Sequence, residues 1–147
     1  MALDERIYDL RLAKLQQLEA LGQQAYPHKY PTSHSIPQIL AGYSEKTAEE
    51  LESQRAEVRV AGRIIGVRLM GKAAFMHLRQ GGQQLQAYVK KDAVGDQGFD
   101  VFKLLDIGDH VGVRGYLFRT RTGELTVHVE ELTFLAKDLL PLPEKWH

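Results

Sequence analysis

Ala73-Ala74-Phe75-Met76-His77-Leu78-Arg79-Gln80-Gly81-Gly82-Gln83-Gln84-Leu85-Gln86-Ala87-Tyr88-Val89-Lys90 reads as a strand, a turn and a second strand. Ala74, Met76 and Leu78 share one face, because side chains alternate across a pleat. Leu85, Ala87 and Val89 do the same after the turn. Gln80–Gln83, with two glycines at its centre, has hairpin-turn chemistry. The same phase leaves Phe75 and His77 pointing away from the core, together with Gln84, Gln86, Tyr88 and Lys90.

Working upstream, the two-residue period begins at Val58. Val58 and Val60 share a face; Ile65, Val67 and Leu69 then share the opposite parity. The phase slips near Ile64–Ile65, and Gly62 and Gly66 flank the slip. A long strand with a bulge and glycines is one that bends, as barrel strands must. After the slip, Val67 and Leu69 are expected inward and Arg68 outward. Downstream, Phe99, Phe102 and Leu105 recur at a helical period over about residues 97–106. Gly108-Asp109 turns the chain into a fourth strand with Val111, Val113 and Leu117 inward. Thr122-Gly123 turns it again into a fifth, with Leu125, Val127 and Val129 inward and Glu124, Thr126 and His128 outward.

The first 57 residues carry a different pattern. Leu3, Ile7, Leu10, Leu12, Leu15, Leu18 and Leu21 recur mostly three or four apart, predicting a helix over 3–21 with Gly22 as its C-terminal cap. Ala25–Ser35, with Pro27 and Pro31, is a connector. Ile36–Ala41 is predicted as a short helix capped by Ser35, with Pro37 in its first turn. Thr47–Ser53 is predicted as another, with Thr47 and Glu50 placed for a capping box. The order is helix, three strands, helix, two strands. That order matches the five-stranded Greek-key barrel called the OB-fold, whose second and third strands and nearby loops bind oligonucleotides. The expected fold class is mainly β with helices. Residues 1–57 form an N-terminal helical extension and 58–137 the barrel.

Charge supports a nucleic-acid partner although the formal net charge is zero. From Val58 to Lys91 there are seven basic residues and no acidic one: Arg59, Arg63, Arg68, Lys72, Arg79, Lys90 and Lys91. Ser44–Glu57 offsets them with five glutamates against Lys46 and Arg55. An outward ring in an acid-free sheet offers stacking to an unpaired base, and the cations attract phosphate. The competing reading of Phe75 alone is a stray aromatic on a solvated face. The shared outward face of Phe75, Arg68 and Gln86 makes the set more persuasive than any member. Gln86 can both donate to and accept from a base edge. Arg59, Arg63, Lys72 and Arg79 are the candidate phosphate contacts.

Other chemistries find little support. Gly66–Ala73 spells most of a phosphate-binding loop, but Ala73 stands where a Ser or Thr would hold magnesium, and a strand rather than a helix follows. The six histidines fall at no ligand spacing and there is no cysteine, so no metal site is expected. No serine, histidine and acid pattern marks a nucleophile. No apolar run is long enough to span a bilayer, and the N-terminus lacks a signal peptide's apolar stretch. No membrane partner is expected, and the cytoplasm is the expected location.

Val60–Ile64, Met70–Phe75, Leu85–Val89 and Asp106–Gly115 resemble the N-terminal domain of class II lysyl-tRNA synthetases. The strongest pieces are Arg119-Thr120-Arg121-Thr122-Gly123-Glu124-Leu125-Thr126-Val127 and Pro141-Leu142-Pro143-Glu144-Lys145-Trp146-His147. The likeness covers nearly the whole chain. One departure is Leu78-Arg79-Gln80, where the family often has Leu-Gln-Asp or Asp-Leu-Arg. The resemblance implies recognition of the tRNA anticodon. It places Phe75 as the ring stacked on the central uracil, Arg68 and Gln86 as the groups bonding its edge, and Glu124 near another anticodon base. It implies a lysine–tRNA ligase that works as a homodimer with ATP and magnesium. Its catalytic domain would follow residues 138–147, the start of a linker, so no catalytic residue or cofactor is expected within this chain. The rival readings are a general single-strand-binding module and a protein-interaction or dimerisation module built on the leucine-rich first helix.

Overall fold

The computed structural model of the protein describes residues 2–23 and 30–139. The connector around Pro27 and the Pro141–His147 tail lie outside the described residues. Three helices come first: α1 (Ala2–Ala20), α2 (Ile36–Tyr43) and α3 (Ala48–Gln54). The strands are β1 (Glu57–Met70), β2 (Ala73–Gln80), β3 (Gln83–Lys90), β4 (His110–Arg119) and β5 (Leu125–Ala136), with α4 (Lys91–Lys103) between β3 and β4. They close into a barrel in the order β1-β2-β3-β5-β4, antiparallel except for the parallel β3–β5 pair. This is the expected five-stranded OB-fold.

Local chemistry explains the boundaries. Gly22, at φ +91°, ends α1, with the Gln23 N–H reaching back to the Leu18 carbonyl at 3.0 Å and the Gly22 N–H to the Glu19 carbonyl at 3.0 Å. This is the paired closure that a left-handed glycine permits. α2 and α3 each start with a capping box, Ser35 with Gln38 and Thr47 with Glu50. Gly81 and Gly82 take φ of 59° and 78°, the two positive values that a two-residue hairpin loop matching the strand twist requires.

The core runs through the barrel and out to the helices. Met76, Leu78, Ala87, Val89, Val113, Leu117, Val127 and Val129 are fully enclosed. Leu18 of α1, Ile36 and Ile39 of α2 and Leu51 of α3 belong to the same buried cluster. α1 is also held by charge, through Lys14 Nζ to Asp106 Oδ1 at 2.7 Å and Arg11 Nη1 to the Asp138 carbonyl at 2.8 Å.

Three expectations need correction. On β1 the inward phase continues through Ile64, which is fully buried, and Ile65 is the bulge residue between Ile64 and Gly66. Val67 and Leu69 do lie opposite Met76 and Ala74, but they are 42% and 55% exposed rather than buried. β4 pairs with β1 only from Glu57 to Arg63, so these residues lie beyond the closed part of the barrel. The helix expected over 97–106 starts at Lys91, is broken at Gly95 (φ 83°) and stops at Lys103. β5 has Leu125, Val127 and Val129 inward as expected and runs on to Ala136, where a bulge at Glu130 switches its phase and brings Leu132 and Phe134 inward. The phosphate-loop-like Gly66–Ala73 spans the end of β1, a turn and the start of β2, with no helix to present its N-terminus to a phosphate.

Candidate nucleic-acid interface

The outward residues of the barrel line up in rows, because residues paired across neighbouring strands share a face. One row runs from Arg68 on β1 to Phe75 on β2, Tyr88 on β3, His128 on β5 and Tyr116 on β4. Its members touch in sequence. Arg68 Cζ lies 5.6 Å from the centre of the Phe75 ring. Phe75 and Tyr88 are 5.0 Å apart and Tyr88 and His128 5.4 Å. His128 and Tyr116 stack at 4.8 Å with only 7° between their planes. Arg55 closes the row, its Cζ 4.2 Å above the Tyr116 ring. Four rings and two guanidinium groups thus form a continuous strip.

A second row lies beside it: His77, Gln86, Thr126 and Phe118. Phe118 joins the strip edge-on, 6.1 Å from Tyr88 and 5.7 Å from His128. Gln86 is outward in the pleat but only 8% exposed, and its Nε2 donates to Thr126 Oγ1 at 3.0 Å. Thr126, also expected outward and open, is fully enclosed, and its hydroxyl donates to the Glu124 carbonyl at 3.1 Å. The outer face is therefore partly a packed layer, not the open polar surface the alternation suggests. The aromatic strip runs along one side of this row, and Phe118 closes one end of it.

Glu124 sits at the rim of the face, its carboxylate 3.7 Å from His77 Nε2. Its turn is well fixed. Arg119 donates to the Lys46 carbonyl at 2.8 Å, the Ser44 carbonyl at 2.7 Å and the Gly123 carbonyl at 2.9 Å, tying residues 120–124 to the α2–α3 connection. The structure thus brings Arg68, Phe75, Gln86 and Glu124 to one face.

The candidate phosphate contacts separate. Arg59 lies over the Tyr30 ring at 5.5 Å and is 3.7 Å from Glu131, on the β1–β4 side of the barrel. Lys72 is exposed in the β1–β2 turn, while Arg63 and Arg79 face each other across β1 and β2. Tyr116 and Phe118 were absent from the expected site. The signal was available, since inward Val113 and Leu117 leave neighbouring aromatics on the outer face.

Residues 58–135 match the family of OB-fold nucleic acid binding domains that carries the tRNA anti-codon name. The chain belongs to that family. Among curated proteins it is 44% identical over 144 residues to the lysine–tRNA ligase of Anaeromyxobacter sp. (strain K), covering 98% of this chain and 28% of that protein. It is 44% identical over 138 residues to that of Listeria monocytogenes serovar 1/2a, covering 94% and 28%. With the ligase of Lysinibacillus sphaericus the identity is 40% over 146 residues. The chain thus spans less than a third of the length of these relatives.

In this anticodon-family barrel, the ring strip also makes a prediction about acid. Burial lowers the affinity of His128 for a proton below that of an ordinary imidazole, with Lys90 and Arg55 pushing the same way and Glu130 opposing. The unfolded chain then binds that proton more readily than the fold does. The contribution of His128 to stability is complete above the unfolded value of about 6.5 and is lost as pH falls through the lower folded value. His128→Gln is expected to flatten the decline of the urea midpoint between about pH 7 and pH 5. An unchanged decline in the variant would assign it to other groups.

Proposed function

We propose that the Phe75 face reads the anticodon loop of a lysine tRNA on behalf of a lysine–tRNA ligase. The observation that carries this reading is the placement of Phe75. It is a half-buried ring beside the Arg68 guanidinium, one strand pair from the amide of Gln86, with Glu124 at the rim. A stacked base would gain a π-face from Phe75 and edge bonds from Arg68 and Gln86, while Glu124 would favour a neighbouring base that donates. The relatives are lysine–tRNA ligases, which supports the choice of tRNA. On this reading ATP, magnesium, the dimeric state and the cytoplasmic setting are properties of the full-length ligase. No residue described here is assigned to ATP or magnesium.

One observation favours a more general single-strand binder. Gln86 is almost covered and already bonded to Thr126, while the aromatic strip is continuous and indifferent to base identity. Titration of the 147-residue chain with two anticodon stem-loops, differing only in a central uracil or cytosine, separates the two. Anticodon reading predicts tighter binding of the uracil loop. Equal affinity for both would leave only the general binder.

A further inference from the structure

A second outward cluster lies toward the other end of β2. Arg63 stands directly opposite Arg79 across β1 and β2, and directly opposite His110 across β1 and β4. All three are exposed. Like charges placed directly across a pair of strands repel and destabilise it. Three other arginines on the outside of the molecule are compensated by acids, whereas Arg68 has a ring for its neighbour. Arg55 meets Glu57 and Glu130, Arg59 meets Glu131, and Arg114 meets both Glu130 and Glu131. Among the described residues, no carboxylate lies at salt-bridge distance from Arg63 or Arg79.

The three side chains rim a cleft of about 430 Å³ whose floor is Ala61 and Gly62 and whose wall is the Gly81-Gly82 turn. The wall is held in place by α2. The Ile36 N–H donates to Gln80 Oε1 at 2.8 Å, and a Cβ added at Gly81 would stand 3.1 Å from the Pro37 ring. Space, fixed backbone and two uncompensated guanidinium forks suit a phosphodiester, whose oxygens accept paired N–H bonds from arginine. Arg79 lies on the same face of β2 as Phe75, four residues on, or about 13 Å at the usual strand rise.

We propose that the Arg63–Arg79–His110 cleft anchors one backbone phosphate of the RNA whose loop base stacks on Phe75. The proposal rests on the ring-face reading above and adds to it a fixed second point of attachment. Such a contact positions the RNA without reading its sequence.

Two measurements on the 147-residue chain test it. In the first, inorganic pyrophosphate is titrated while amide NMR signals are followed. Saturable shifts are expected at Gly81, Gly82 and His110, and they should disappear in the Arg63→Gln/Arg79→Gln variant. Shifts elsewhere only, or none, overturn the proposal. In the second, anticodon stem-loops carrying one neutral methylphosphonate at successive positions are bound to wild type and to Arg79→Gln. One position should weaken wild type roughly tenfold and leave the variant unaffected. The variant should also lose about 0.7 from the slope of log affinity against log salt. If Arg79→Gln keeps the wild-type affinity and slope while Phe75→Ala loses affinity, the cleft holds no RNA phosphate and the ring reading stands. If wild type binds no stem-loop, the ring reading fails and the RNA anchor falls with it, whatever pyrophosphate does.

Discussion

Asp109→Ala is expected to cost the fold about 3–5 kcal/mol, the usual penalty for removing one partner of a buried ion pair. Asp109 and Lys137 are fully enclosed, and Lys137 Nζ lies 2.7 Å from Asp109 Oδ2. The carboxylate also accepts from the Asp106 N–H at 2.8 Å and the Asp138 N–H at 2.9 Å. Lys137 in turn donates to the Leu104 carbonyl at 2.9 Å. The pair therefore knots together the exit of α4, the entry to β4 and the end of β5. Through Asp106 and Asp138 it reaches Lys14 and Arg11 of α1. Alanine would strand an ammonium in the interior with only a carbonyl and the Asp106 carboxylate, 2.8 Å away, to answer it. The double variant Asp109→Leu/Lys137→Met should recover much of the loss, since a buried apolar pair is often as stable as the ionic one. Urea unfolding of Asp109→Leu, Lys137→Met and the double completes the cycle. A single-variant loss under about 1 kcal/mol, or strict additivity, would show that the pair does not govern the fold.

That pair illustrates what the sequence hides. Asp109 and Lys137 are 28 residues apart, and each has the composition of a surface residue. Nothing in local periodicity announces that they meet in the interior. The strands were legible because alternation of Met76, Leu78, Leu85, Ala87, Val113 and Val127 is imposed by the pleat itself. One cap each of α1, α2 and α3 was legible for the same local reason, in Gly22, Ser35 and Thr47. Where the reading failed, a non-local fact decided. Val67 and Leu69 have the inward parity, but β4 ends its pairing with β1 before it reaches them. The bulge at Glu130 is set by β4–β5 pairing, so the end of β5 could not be phased from its own residues.

The candidate site divides along the same line. Phe75, Arg68 and Gln86 are outward by parity, and parity is a property of the sequence. Whether an outward residue is also open depends on neighbours from other strands. Tyr88, Phe118 and His128 come from three strands and pack on one another beside Gln86 and Thr126, which are buried. A face that looks polar and solvated in the sequence is in the fold an aromatic strip with a buried amide beside it.

This arrangement sharpens the largest effect expected on binding. Phe75→Ala should weaken binding of any loop by roughly 1–3 kcal/mol, because stacking is indifferent to the base. It should do so with little change in stability, since the ring is only half-buried on the outer face. Arg68→Ala removes a cation beside that ring and a donor to the base edge, so it should lower affinity and also discrimination. Gln86→Ala differs from both. It removes the amide that bonds Thr126, which should cost the fold about 1 kcal/mol. It should also reduce the preference for uracil over cytosine by about 1–3 kcal/mol, if the amide turns from Thr126 to the base edge. The variant Thr126→Val tests that turn. It frees the Gln86 amide from its protein partner, and the preference for uracil should then be retained or increased. If wild type discriminates between the loops while both Arg68→Ala and Gln86→Ala keep the full preference, other residues read the base. Tyr88 and Phe118 are then next to be replaced, because their rings border the same stacking surface.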